Sequence, residues 1–472
     1  MRASWYKRRM ENKDAIIEQL LEDNKLLRKH IKSLEEKIQL LEEKIARLEK
    51  NSNNSSKPPS SDIVKPKQIV RKVRGKRKRG AQPGHRKMTR KLFPPEQVDQ
   101  VIEYELRDRD AQDLIPLDQW QSVQQITLAE RLYTVTEHRS RKYRDPKTGR
   151  IYIAPLPESI SKGGLLGADM TAAIAFMKGR CHMSYTTIQT FFEELIQIDL
   201  SRGMLCKATH KVSKALDTSY QQLVERLPHE SNLGIDETGH HNEGKLHWTW
   251  CFQTPDYSVF HIDKSRGSCV LIDILGESFE GIIGCDYWGA YRKYARLFGV
   301  QMQYCMAHLI REVRFLAEHS IKKLSHWGHD LLEWLKKVFK TLYRRDKLTA
   351  KGYLHSMGKI KEGFLSRMRR PPNHPLAKKL AKRFKGKAAE QYFRFLSDLE
   401  VEPTNNGTER EIRHSVIDRR ITQGTCGNAG MRWCERIWTI LATCKKQNRN
   451  VFNFIHESIL AHWTDQCYPR LL

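Results

Sequence analysis

No cysteine occurs before Cys181, and the ten present are scattered without paired spacing. That distribution argues against a disulfide framework and for reduced thiols, so a cytoplasmic setting is expected. A run of about twenty apolar residues is also missing, which argues against a helical membrane span. The first residues, MRASWYKRRMENKD, are basic but have no apolar stretch behind them, unlike a secretory signal. Acidic residues are scarce beside basic ones, 55 against 83, leaving a formal net charge of +28. A surplus that large points to a polyanionic partner, because neutralising phosphates releases condensed counterions. At 472 residues the chain exceeds one compact domain and suits two or three.

The cations are clustered. Thirteen lie between Lys65 and Lys91, in a stretch with too few apolar residues to fold alone. Arg71, Lys72, Arg74, Lys76, Arg77, Lys78 and Arg79 are its densest stretch, an arm suited to tracking a phosphate backbone. A nuclear localisation signal has similar composition, so the stretch alone does not specify DNA. The segment before it, NSNNSSKPPSSD, is polar, carries two prolines and reads as a linker.

Ahead of the linker runs a seven-residue apolar repeat. Ile17, Ile31, Ile38 and Ile45 occupy one position, and Leu20, Leu27, Leu34, Leu41 and Leu48 the other. Ile at a with Leu at d favours a parallel two-stranded coiled coil, and Asn24 at an a position penalises other registers. The reading is a homodimer through residues 17–48, against the alternative of one helix folded onto its own protein.

From Phe93 to Pro157 short alternating runs flank Asp145-Pro146-Lys147-Thr148-Gly149, which reads as a turn between two strands. Helical patterns follow to about Arg226. The pair formed by TTIQTFFEELIQI and a helix starting near Arg202 reads as packed helices, or as a helix-turn-helix.

Beyond Pro228 the texture is strand-like. Ser231–Asp236 reads as a strand leading into a turn, followed by Lys245–Thr254 and Tyr257–Asp263. A helix over 267–276 and strands over 281–286 and 300–304 come next. Asp236 and Asp286 each end an apolar β run, where a carboxylate must be paired, exposed or metal-bound. A third acid, Glu409, stands in PTNNGTEREIR, where Thr404 or an Asn can cap a helix. The plain alternative for Glu409 is a surface ion pair with Arg413 one turn away. His240 and His241 read as loop histidines, and Cys426, Cys434 and Cys444 as small apolar packing residues. Cys305 and His308 form C-x-x-H without an obvious second pair, which favours a structural role over zinc.

Together these pieces resemble the IS66 family of bacterial insertion-sequence transposases. The matching elements run in order: a coiled coil, SSKPPSSD, GAQPGH, GIDETG at Asp236, GCDYWGAY at Asp286, CMAHLIRE at Cys305 and NNGTEREIRH at Glu409. The resemblance implies a multidomain α/β protein with a ribonuclease H-like catalytic core interrupted by a helical insertion. It further implies that Asp236, Asp286 and Glu409 are the catalytic, metal-binding carboxylates. Mg²⁺ is the expected ion, with Mn²⁺ as substitute, since three converging carboxylates repel unless a hard cation neutralises them.

The domains then read as a coiled coil (1–50), linker and basic arm (51–92), and small β-rich module (93–157). A helical domain (158–228), a first core segment (229–308) and a helical insertion (309–399) follow. A second core segment with C-terminal helices (400–472) ends the chain. Arg410, Arg413, Arg419 and Arg420 are further candidates for DNA phosphates. Family members usually carry a cysteine-based zinc module after the basic arm. Residues 96–145 contain no cysteine, so no zinc is expected there and the module reads as degenerate. Transposon-end and target duplex DNA are the expected partners, with accessory proteins of the same element possible. A nuclease or resolvase on the same core, and a catalytically silent DNA-binding protein, are the competing readings.

Overall fold

The computed structural model describes residues 19–38, 41, 45, 92–104, 122–129 and 131–472. The basic arm with Arg71, Lys72, Arg74, Lys76, Arg77, Lys78 and Arg79 lies outside the described residues. Two compact units are present: one of Met1–Pro66, Leu156–Thr190 and Leu200–Leu472, the other of Lys67–Pro155 and Phe191–Asp199. Among the described residues no helix is long and apolar enough to cross a membrane.

The smaller unit contains an antiparallel hairpin, β1 (Lys142–Arg144) and β2 (Ile151–Ile153). Asp145 shapes its turn by accepting from the Lys147 amide at 2.8 Å and the Thr148 hydroxyl at 2.7 Å. Gly149 supplies the left-handed residue, at φ +71°. The described residues 98–104 and 122–129 form no strand.

In the larger unit, α1 (19–38) leaves Leu20, Leu27, Leu34, Ile31 and Ile38 more than half exposed, all on the heptad stripe. Helices α2 (Glu158–Gly163), α3 (Ala168–Gly179), α4 (Tyr185–Phe191), α5 (Arg202–Ala215) and α6 (Asp217–Arg226) follow. Ser201 caps α5 by accepting from the Met204 amide at 3.2 Å. Leu205, Ala208, Val212 and Ala215 of α5 are buried, so this helix spends its apolar face on packing.

The centre is a five-stranded mixed sheet of β3 (Asn232–Asn242), β4 (Lys245–Gln253), β5 (Ser258–Asp263), β6 (Ile282–Cys285) and β7 (Gln301–Tyr304). Their order is β5-β4-β3-β6-β7. Strands β3, β4 and β5 pair antiparallel in sequence, whereas β6 lies parallel to β3 and β7 parallel to β6. The expected strand after Pro228 runs six residues further than read from the sequence. Its turn is Glu243-Gly244, both at positive φ (52° and 74°), the two-residue geometry that suits hairpin twist. The polar stretch ETGHH hid this continuation, because it interrupts the apolar texture of the strand, although its partners on β4, such as Trp248 opposite Gly239, lie just across the turn.

Helices α7 (Ser268–Leu275) and α8 (Gly289–Phe298) connect the later strands. The helical segment α9 (Met306–Ala317), α10 (Lys322–Leu342), α11 (Ala350–Met368) and α12 (Pro375–Lys382) then precedes α13 (Asn406–Thr422). Finally α14 (Asn428–Lys446) and α15 (Val451–Thr464) close the chain.

Helix α14 seals the exposed edge of β5. Glu435, Thr439 and Thr443 stand four residues apart and accept from the amides of Ile262 (2.7 Å), Phe260 (2.9 Å) and Ser258 (3.3 Å). A helical step of four residues rises about 6 Å and two strand residues span about 6.8 Å, so the two ladders stay in phase. An unpaired strand edge invites association with another chain, and this helix removes it. Cys434 and Cys444 are buried beside it as expected, but Cys426 is exposed.

Candidate active site

The parallel pairing of β3 with β6 sets Gly234 opposite Gly284. Two residues further along each chain stand Asp236 and Asp286. With a side-chain period of two, both carboxylates emerge on the same face of the sheet, at the same level. Leu233, Ile235, Ile283 and Cys285 point to the opposite, buried side. Asp286 follows the last residue of β6, which stops one position short of the strand end read from the sequence, whereas Asp236 lies inside β3 where that neighbour ends. A carboxylate within a central strand is reachable here because β6 is short and leaves its face open.

The third acid arrives through a set of backbone anchors. The Cys305 amide donates to Cys285 O at 2.8 Å, and the Met306 amide to Pro403 O at 2.9 Å. Asn405, which is buried, donates Nδ2 to Ile235 O at 2.8 Å and its amide to Cys305 Sγ at 3.1 Å. Its Oδ1 accepts from the Thr408 hydroxyl at 2.7 Å. The expected cap is therefore of another kind. Asn405 occupies the N-cap position of α13, but its side chain ties the helix to β3 instead of capping the first turn. Gly234 makes the approach possible: a Cβ there would lie 2.4 Å from Thr408 Oγ1. From the sequence an Asn here read only as a helix cap, and Gly234 carried no role. The signal available was an Asn-Asn pair at a helix start.

These anchors place Glu409 on the first turn of α13. Its Oε1 lies 3.1 Å from Arg311 Nη2 and 3.6 Å from His308 Nε2, both on α9. The alternative of a surface pair with Arg413 gives way to this contact across the site, and Arg413 is exposed. The C-x-x-H pair takes two separate tasks: Cys305 receives the Asn405 amide, and His308 stands beside Glu409. His308 is pushed down to about 4 by burial and then by Arg311, so it is neutral at pH 7. Its Nδ1 is buried without a hydrogen-bond partner.

Electrostatics ties the acids together. Asp236 is raised well above the usual carboxylate range, first by burial, then by the charges of Glu237, Asp286 and Glu409. Asp286 is pushed up to about 7 by burial and Glu237, although the Trp288 amide pulls it back. Glu411 exerts its charge elsewhere, on Lys446 and Cys251. Glu237, buried on the reverse face, accepts from the Tyr291 hydroxyl and pairs with Arg266 at 2.8 Å.

The residues suit a hard divalent cation in kind: three carboxylates, two of them raised by burial and like charge, invite such an ion. Among the described residues no three His, Cys, Asp or Glu groups converge as a preformed metal site. Glu409 instead spends an oxygen on Arg311.

The remaining arginines differ in their availability. Arg410, Arg413 and Arg420 are exposed. Arg419 is half-buried and donates Nη1 to Gly239 O and, at 3.2 Å, to Thr238 Oγ1. That engagement fastens α13 to β3 and withdraws Arg419 from solvent. His240 and His241 belong to β3 and not to a loop. His240 is buried, with Nε2 3.0 Å from Thr425 Oγ1, and His241 is exposed.

No curated protein matches the chain. A family of unknown function (DUF6444) matches residues 5–91. The family described as Transposase IS66 matches residues 163–432, more than half of the chain and all three acids. The chain belongs to the IS66 transposase family.

Proposed function

We propose that this transposase cleaves the 3′ ends of its element and joins them to target DNA. The observation that supports it most is the parallel register that sets Asp236 and Asp286 side by side, with the Glu409 charge felt at Asp236. The sheet order, three antiparallel strands followed by two parallel ones, agrees with a ribonuclease H-like core. In the first step water attacks the phosphorus at the element's end, and the P–O3′ bond breaks to free a 3′-hydroxyl. In the second, that hydroxyl attacks a target phosphodiester and displaces its 3′-oxygen.

Asp236, Asp286 and Glu409 would hold Mg²⁺, or Mn²⁺ in its place, which supplies charge neutralisation for in-line displacement when bound. The protein itself contributes positioning and electrostatics. Asn405, Gly234 and Arg419 fix α13 against β3, so that Glu409 is delivered to the sheet face. Arg311 is a cation already at the site, placed to meet a phosphate oxygen once Glu409 is otherwise engaged. Arg410, Arg413 and Arg420 on exposed positions of α13, with the basic arm of residues 71–79, are suited to the DNA backbone. The heptad stripe of α1 supports a homodimer, which would bring two element ends together.

The test is a strand-transfer assay with the element's terminal repeats. Products joined to target DNA in Mg²⁺, abolished by Asp236→Asn, Asp286→Asn and Glu409→Gln, are expected. Cleavage without joining would favour a nuclease on the same core. Unchanged cleavage by all three variants would remove the triad.

A further inference from the structure

Trp288 stands two residues beyond Asp286, and the two are tied together: its amide donates to Asp286 Oδ1 at 2.9 Å. Its indole is nonetheless 41% exposed, whereas Trp250 and Trp438 are fully buried. The ring therefore keeps part of its flat apolar surface open next to Asp286.

One face of the ring is already braced. The Arg266 guanidinium lies 4.1 Å from the Trp288 centroid and 4.5 Å from that of Trp248. Arg266 is in turn held by the buried Glu237, Nε to Oε1 at 2.8 Å. A planar cation fixed between two rings stiffens Trp288 from beneath, at low cost in side-chain freedom. The ring is therefore a rigid, partly open platform fastened to the loop that carries Asp286.

We infer that Trp288 is a stacking subsite for an unpaired nucleobase of the DNA end, beside the reacting phosphate. The inference rests on the transposase reading above. A nucleotide carries a flat ring next to its phosphate, so phosphate at the acids brings a base to the adjoining platform. Stacking on an aromatic accepts any base, since each has a π-face. The subsite would thus position the scissile strand without specifying its sequence, and it favours a base already released from its pair.

The test uses the full-length protein and a duplex carrying the element's terminal repeat with its flanking DNA, with Ca²⁺ in the buffer. Binding is compared on intact DNA and on DNA with one abasic nucleotide placed in turn on each side of the cleaved bond. Trp288→Ala is expected to bind intact DNA about tenfold more weakly or worse, and Trp288→Phe near the wild-type level. At one abasic position the wild type should fall to the alanine variant's affinity. An alanine variant that binds intact DNA normally, or a deficit that persists at every abasic position, overturns the subsite. The wild-type series gives the same reading without any substitution: equal affinity at all abasic positions also overturns it. Normal stacking behaviour without Mg²⁺-dependent cleavage would sink the transposase reading alone. Cleavage without position-dependent binding would sink the subsite alone.

Discussion

Arg311 holds Glu409 across the site, Nη2 to Oε1 at 3.1 Å, from a helix 98 residues earlier in the chain. The guanidinium stands where a metal would compete for the same carboxylate. Arg311→Gln should therefore tighten Mn²⁺ binding severalfold in calorimetric titration, while strand transfer falls for want of the cation. Weaker Mn²⁺ binding would mean that Arg311 presents Glu409 to the metal and does not compete with it.

Gly234 is the point where α13 meets β3, with Thr408 Oγ1 only 2.4 Å from a would-be Cβ. Gly234→Ala should destabilise the fold by about 1–3 kcal/mol, the usual range for overpacking, and shift Glu409 away from Asp236. Chemical denaturation gives the first quantity and cleavage rate the second. Activity should drop more than stability explains. A variant with normal cleavage would show that the helix tolerates displacement.

Asn405 is buried and serves Ile235 O, Thr408 and Cys305 at once. Asn405→Ala removes the donor to Ile235 O and leaves Thr408 only its longer bond to Gln253 Oε1 at 3.4 Å, a loss of about 1–3 kcal/mol. Asn405→Asp keeps an acceptor for Thr408 but cannot donate to Ile235 O, and adds charge near Asp236. The aspartate variant should therefore be the less stable of the two above neutral pH, as measured by urea midpoints. Equal midpoints would argue against a charge penalty there, and an alanine variant as stable as wild type would argue against the donor role.

Glu435 is buried in the edge-sealing ladder and pushed up to about 7, first by burial and against the pull of Arg432, the Ile262 amide and Arg436. His261, 3.4 Å away, is itself lowered by burial, and Asp263 adds like charge. Because its folded value exceeds the unfolded one, near 4.5, its protonation favours the fold at low pH. That contribution is complete below about pH 4.5 and is lost as pH rises through about 7. Glu435→Gln keeps the acceptor for Ile262 and removes the titration. Melting temperatures of variant and wild type should diverge between pH 5 and pH 8, with the variant the more stable at the higher value. Parallel curves across that interval would contradict the assignment.

The stripe of Leu20, Leu27, Ile31, Leu34 and Ile38 on α1 lies open to solvent in the single chain. Sedimentation should return a dimer, and Leu27→Asp with Leu34→Asp should return a monomer with its core still folded. A wild-type monomer would remove the coiled-coil reading.

Sequence alone carried the local periodicities and the motifs. The heptads of α1, the strands ending at Asp263, Cys285 and Tyr304, and the turn at Asp145–Gly149 depend on neighbours a few residues away, so their pattern is written in order. Asp286 stood out as a carboxylate closing an apolar strand and Glu409 by a polar helix start, whereas Asp236 closed an apolar run that the structure extends to Asn242; their joint order resembles a family's. The tertiary structure alone decided what each acid meets. Asn405 acts on a carbonyl 170 residues away. Glu409 chose Arg311 over Arg413 because α9 crosses the site, and no local spacing encodes that. Trp288 and Arg266 likewise meet only in the folded chain, where the guanidinium lies 4.1 Å from the ring centroid. Contacts of this kind join distant stretches of the chain, so the physics that fixes them is packing and electrostatics in three dimensions and not any pattern along the sequence.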